Sequence, residues 1–312
     1  NSPKVNPLIP YPTTSPAADD QGDYNLVDES LLSFFGVFDY NYLNRYYLQA
    51  SVRADGSSLF GSNNKWGVFW SVGGSWNVSK ENWMKWSRQW LSALKIRASY
   101  GVNGNNNIAP YKAYGLYGTT QYNGITGMVP SSPENPNLSW EKNATYNIGV
   151  DFGFFDDRLT GSLDYYFRKT KDMLLSKQVP YTTGFGSNFM NVGAIRNKGI
   201  EFQLEGVILR NNDWYWTAGF NIALNRSLVL DLAGSEYLTV ADSRAHGNDS
   251  TPIRIAPGRR LFTYYLRDWY GVNPSNGDPI WYDKDGNLTS DSAKARYIYA
   301  GTPEPKATGG FN

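Results

Sequence analysis

Eight stretches of this chain alternate apolar and polar side chains residue by residue, and a period of two specifies strands with two chemically different faces. The first begins at Leu31, with Phe34, Gly36, Phe38, Tyr40 and Tyr42 on one face and Phe35, Val37, Asp39 and Asn41 on the other. After a tight turn the pattern resumes as Leu48, Ala50, Val52 and Ala54 against Gln49, Ser51, Arg53 and Asp55. The third sets Trp66, Val68, Trp70, Val72 and Trp76 against Ser71 and Ser75, and the fourth Leu94, Ile96, Ala98 and Tyr100 against Lys95, Arg97 and Ser99. The fifth sets Tyr146, Ile148 and Val150 against Asn147 and Asp151, and the sixth Leu163, Tyr165 and Phe167 against Ser162 and Asp164. The seventh sets Ile200, Phe202 and Leu204 against Glu201, Gln203 and Glu205, and the eighth Trp216, Ala218, Phe220 and Ile222 against Thr217 and Asn221. Lys142 is the one charge read on the apolar parity.

A soluble sandwich strand alternates in the same way, with its apolar face turned inward. Two features separate the readings. Connections alternate between tight, around residues 41–45, 156–158 and 210–213, and long, at 104–138, 169–198 and 227–305. Membrane barrels sort their loops this way, short on the periplasmic side and long outside. The chain is also rich in aromatics, with 11 Trp, 23 Tyr and 15 Phe. On the apolar parity Tyr42, Tyr46, Trp76, Phe154 and Trp216 gather at the short-turn ends, and Trp66, Tyr100, Trp140 and Phe167 toward the long loops. Two aromatic belts flanking an aliphatic band are expected where strands cross a bilayer. No run approaches the roughly 18 apolar residues of a membrane helix, whereas a mean hydropathy of −0.49 is compatible with spanning strands.

The expected fold is therefore all-β: an antiparallel transmembrane β-barrel segment of about eight full strands plus the start of a ninth at Gly309. Residues 1–30, with Pro3, Pro7, Pro10, Pro12 and Pro16, read as an extracellular loop or tail. Residues 31–312 read as the partial barrel, carrying the three long stretches as extracellular loops.

Chemical motifs are sparse. A net charge of +1 and the absence of any basic run argue against nucleic acid. With no cysteine, disulfides and thiolate metal sites drop out. His246, the one histidine, stands in a polar segment and reads as a solvated loop residue. The stretch from Asp283 to Asp291 resembles a calcium loop, but Gly286 is misplaced and Lys294 stands where a bidentate Glu is needed, so a β-turn is expected. Glu201 and Glu205 on one strand stand about 13 Å apart, too far for glycosidase chemistry. No catalytic residue, metal site or cofactor is expected. The polar parity instead gives a hydrated wall of Arg53, Asp55, Lys95, Arg97, Asp151, Asp164, Glu201 and Glu205. Tyr111, Tyr114, Tyr117, Trp269, Tyr270, Trp281 and Tyr282 in the long loops are candidate contacts for sugar rings, peptide side chains or another protein.

Several segments resemble the SusC/RagA family of TonB-dependent outer-membrane importers. They are Arg53-Ala-Asp-Gly-Ser-Ser-Leu-Phe-Gly61, Lys95-Ile-Arg-Ala-Ser-Tyr-Gly101, Asn135-Pro-Asn-Leu-Ser-Trp-Glu141, Arg158-Leu-Thr-Gly-Ser-Leu-Asp-Tyr-Tyr166 and Asn191-Val-Gly-Ala-Ile-Arg-Asn-Lys-Gly-Ile-Glu201. The resemblance implies a 22-stranded barrel in the bacterial outer membrane that takes up oligosaccharides or peptides. It implies as partners a SusD-like surface lipoprotein, outer-membrane lipid, and TonB through a segment outside this chain. A family member would also carry a leader and a plug domain, so the chain is expected to be part of a longer protein, and an arc with two open edges to be unstable alone. A passive porin, and a soluble adhesin or carbohydrate-binding β domain, are the alternatives.

Overall fold

The computed structural model describes residues 27–240 and 253–312. The chain opens with β1 (Leu31–Tyr42), β2 (Tyr46–Ser57) and β3 (Trp66–Asn77), then two short 3-10 helices, Val78–Lys80 and Asn82–Ser87. β4 (Leu91–Asn105) leads to a hairpin of β5 (Leu116–Tyr122) and β6 (Ile125–Ser132), followed by β7 (Glu141–Phe154) and β8 (Leu159–Lys171). A small hairpin of β9 (Leu174–Gln178) and β10 (Ser187–Asn191) precedes β11 (Ala194–Arg210) and β12 (Tyr215–Asp231). The last long connection holds β13 (Leu238–Val240), β14 (Ile253–Ile255), β15 (Thr263–Arg267), β16 (Trp269–Val272), β17 (Pro279–Tyr282), β18 (Leu288–Thr289) and β19 (Tyr297–Tyr299), and β20 (Thr308–Phe311) ends the chain.

Nine of these strands form one sheet in the order β1-β2-β3-β4-β7-β8-β11-β12-β20, and every pairing between neighbours is antiparallel. Eight long strands and a short ninth are thus present, and the sheet ends on two unpaired edges, β1 and β20. Two of the short connections, β1–β2 and β7–β8, are tight because the chain turns left-handed there, at Leu43 and Asn44 and at Phe155, Asp156 and Asp157. Between β1 and β2, Leu43 and Asn44 both have positive φ, the Arg45 amide donates to the Tyr42 carbonyl, and the Asn41 side chain accepts from the Asn44 amide. Turns of this primed kind match strand twist and so fix the register.

Register keeps one chemistry on each face through the middle of the sheet. The row Phe38, Ala50, Val72, Tyr100, Tyr146, Phe167 lies on the apolar face, and the row Ser71, Gly101, Thr145, Arg168 on the polar one. Along the apolar face rings meet across strands: Trp70 and Tyr100 at 5.3 Å, Tyr100 and Tyr146 at 4.3 Å, Tyr146 and Phe167 at 6.2 Å. A second group sits at the turn ends, where Tyr46 stacks on Trp76 at 6.3 Å and Trp90 on Phe154 at 6.0 Å. This face is exposed, Phe38, Val52, Val68, Ile148 and Tyr146 among its residues. A sandwich would have buried these side chains against a second sheet. The apolar face therefore has the environment of a barrel's outer surface.

Three expectations need adjustment. The wall strands run further than the alternation suggested, so residues 104–105 belong to β4, residues 169–171 and 194–198 to β8 and β11, and residues 227–231 to β12. The long connections carry strands of their own. Lys142 is also not the one charge on the apolar parity: the register puts Lys169, Lys171, Arg196, Lys198 and Arg226 there too. The alternation of apolar and polar residues stops at the first charge, whereas the ladder hydrogen bonds continue past it.

Candidate functional site

The polar face carries an open hollow of about 780 Å³ over β1 to β4 and β7, lined by Asp39, Gln49, Lys95, Arg97, Ser99 and Asn147 among others. Beside it lies a charged cluster built from three strands. Arg97 of β4 donates from Nε to Asp151 of β7 at 3.1 Å and from Nη2 to Asp164 of β8 at 2.6 Å. To reach β8 the guanidinium must pass over β7, and it passes at Gly149. A Cβ on Gly149 would stand 2.5 Å from the Asp164 carboxylate and 2.7 Å from the Arg97 guanidinium carbon, so glycine is what opens the path. Register adds Glu201 opposite Asp164, and Lys95 opposite Asp151. One Asp164 oxygen, Oδ1, is buried without a hydrogen-bond partner.

The other wall residues lie apart. Arg53 and Asp55 pair with each other at 2.6 Å toward the loop end of β2. Glu205 lies near the turn end of β11, opposite Thr160 and Gly219, in a separate recess of about 300 Å³.

Over the loop end of the polar face the connections fold into a core. Phe60, Phe69, Ala113, Leu138 and Trp140 are buried together, with Ile108, Leu174 and Phe189 packed against them. The packing explains several motifs. Gly61 donates its amide to the Leu138 carbonyl, and a Cβ there would lie 2.2 Å from the Pro136 carbonyl oxygen. Trp140 donates its indole N–H to the Lys65 carbonyl at 3.1 Å. The Asn191 side chain accepts from the Ser139 amide at 2.7 Å and donates to the carbonyls of Ser139 and Asp172. Three segments distant in sequence thus lock one another over the wall.

Among the candidate contact rings, Tyr111, Tyr114, Tyr117, Trp269 and Tyr270 are exposed. Trp281 and Tyr282 are half-buried, meeting Trp269 and Tyr270 edge-on at 5.9 and 5.5 Å across the β16–β17 hairpin. The last long connection is also tied by stacked cations: the Arg254 guanidinium lies between the rings of Tyr237 and Tyr265, and Arg296 pairs with Asp268 at 2.6 Å. At Asp283 the chain makes a turn, in which the carboxylate accepts the amides of Asp285 and Asn287 and Gly286 has positive φ. His246 lies outside the described residues.

At the turn end, sequence reasoning missed Glu81. Placed between the two 3-10 helices, its carboxylate accepts from the Tyr46 hydroxyl at 2.6 Å, the Trp76 indole at 3.0 Å and Arg45 at 3.2 Å. The Tyr46 and Trp76 donors, with Arg45 adding, hold its carboxyl below the usual range against the opposing effect of burial.

A one-layer antiparallel wall with an exposed apolar face and a hollow, charged inner face suits a membrane barrel, and residues 2–311 of the chain match the TonB dependent receptor-like β-barrel family. The chain belongs to that family. Within it the chain is 36% identical over 286 residues to TonB-dependent receptor SusC of Bacteroides thetaiotaomicron, covering 86% of this chain and 28% of SusC. It is 33% identical over 299 residues to TonB-dependent receptor P26 of Formosa agariphila, covering 90% and 30%. Among solved structures, the RagAB peptide importer in its open-open state superposes with a TM-score of 0.80 at 32% identity, covering 91% of this chain and 30% of that one. The chain thus spans about three tenths of the length of these TonB-dependent relatives.

Proposed function

We propose that the chain supplies about eight strands and part of a ninth to the wall of a 22-stranded outer-membrane importer. Its apolar face meets lipid and its polar face lines the lumen. The importer takes up oligosaccharides or peptides actively, drawing on TonB through a segment outside this chain, and performs no covalent chemistry. The observation that carries this is the single-layer sheet: its exposed apolar face finds a partner only in hydrocarbon, and antiparallel strands spanning a bilayer must close into a barrel.

Arg97, Asp151, Asp164 and Glu201 give the lumen a mixed-charge lining suited to polar solutes rather than to one ion sign. The exposed Trp269 and Tyr270 and the tyrosines of 111–117 suit a cap at the extracellular mouth, where a SusD-like lipoprotein would dock, because aromatic anchors dominate such interfaces. The names of the relatives, SusC and the RagAB peptide importer, support this assignment of activity and partner.

The test is uptake in a bacterium lacking its own copy. The complete barrel protein should restore growth on an oligosaccharide or peptide source only while TonB is active. Growth that persists after TonB is removed would make the protein a passive porin.

A further inference from the structure

A tilted strand of about 10 residues crosses the hydrocarbon of a bilayer. Counted from the short turns, the apolar parity of β7, β8, β11 and β12 changes character just past that length. There it carries Lys142, Lys169, Lys171, Arg196, Lys198 and Arg226, and register places them opposite one another as Lys142 and Lys171, Lys169 and Arg196, Lys198 and Arg226. Like charges directly opposite on a sheet destabilise it. The nearby acids offset little of this. Asp172 lies 4.0 Å from Lys142, and Asp231 shares a recess with Lys169 and Lys171. Glu304, 3.9 Å from Arg260, already accepts the Ser227 hydroxyl. Among the described residues Lys169, Arg196, Lys198 and Arg226 form no ion pair.

Two of these cations, Lys198 and Arg226, line a groove of about 350 Å³ with two chemistries. Tyr165, Ile200 and Leu224 line it from the apolar face, and Lys198, Arg226, Arg260 and Lys306 from the loop side. Nη1 of Arg260 is buried and makes no hydrogen bond, its ion-pair partner Glu304 standing 3.9 Å away.

We propose that this groove holds a phosphorylated lipid of the outer leaflet, its phosphate among the four cations and an acyl chain along Tyr165, Ile200 and Leu224. The proposal rests on the outer-membrane reading above. Charge complementarity and depth choose the occupant: the site faces lipid, stands at headgroup level, and joins cations to an apolar floor. A free phosphate would satisfy the cations and leave that floor uncovered.

The complete barrel protein is to be placed in phosphatidylcholine nanodiscs with and without phosphatidic acid, and retained lipid counted by native mass spectrometry. Wild type should hold phosphatidic acid selectively. Lys198→Gln with Arg226→Gln should weaken retention about fivefold per charge removed, while Arg168→Gln, on the polar parity, should not. In neutral detergent the double variant should melt no lower than wild type, because its cross-strand repulsion is gone. Equal phosphatidic acid retention by wild type and double variant would overturn the proposal, as would inorganic phosphate raising the wild-type melting temperature as much as the lipid does. A wild-type protein that fails to insert would instead overturn the membrane reading.

Discussion

Phe69 and Trp70 are adjacent on β3 and meet opposite surroundings, Phe69 being 6% exposed and Trp70 45%. Phe69 points to the polar face at its loop end, where Phe60, Leu138 and Trp140 close over it. Trp70 stands on the apolar face beside Tyr100, with no protein layer above. The wall leaves its largest apolar surface for lipid to cover, whereas the connections must assemble a core of their own in water. The two regions should therefore fail separately, and the largest expected effect comes from charging the wall.

Val52 and Ser51 are neighbours on β2 near mid-height, one on each face. In the complete barrel protein Val52→Arg should cost about 2 to 4 kcal/mol at the bilayer midplane, and Ser51→Arg far less, because the lumen is hydrated. Insertion yield and heat resistance in lipid read the difference. Equal values for the two variants would break the assignment of faces.

The loop core should give the intermediate effect. Gly61→Ala forces a methyl against the Pro136 carbonyl, and overpacking of this kind typically costs about 1 to 3 kcal/mol. Limited proteolysis should then cut within residues 106–140 while the barrel stays inserted and heat-resistant. A variant that loses insertion together with its loops would show that the core supports the wall as well as itself.

The same contrast sets how far the sequence could be read. The eight wall strands were legible because a sustained period of two matches a strand and does not match the 3.6-residue repeat of a helix, and the parity of Arg97, Asp151 and Asp164 followed from it. That these three meet was not legible, since the contact depends on register and on the bare backbone of Gly149. The loop core was hidden for a related reason. Its members come from β3 and from connections as far apart as Phe60 and Phe189, and no local pattern joins them. The cations of β8, β11 and β12 were hidden because charge interrupts the alternation that marks a strand, although the strands themselves continue past it.

Glu81 sharpens the comparison at the opposite rim and carries the smallest effect. It lies outside the spanning strands, and its three donors favour the carboxylate, so its folded-state pKa lies below its unfolded value. A depressed carboxyl contributes stability that is full above the unfolded pKa and is lost as pH falls through the folded one. Wild type should therefore exceed Glu81→Gln in resistance to unfolding at neutral pH, and the gap should narrow on acidification below the ordinary carboxylate range. Tyr46→Phe should remove part of the same gap, because the Tyr46 hydroxyl is the largest contributor to the shift. Melting curves of the complete protein in detergent, taken across that acidic range, measure both. A gap that stays constant with pH would mean that Glu81 acts by packing between the two 3-10 helices rather than by its charge.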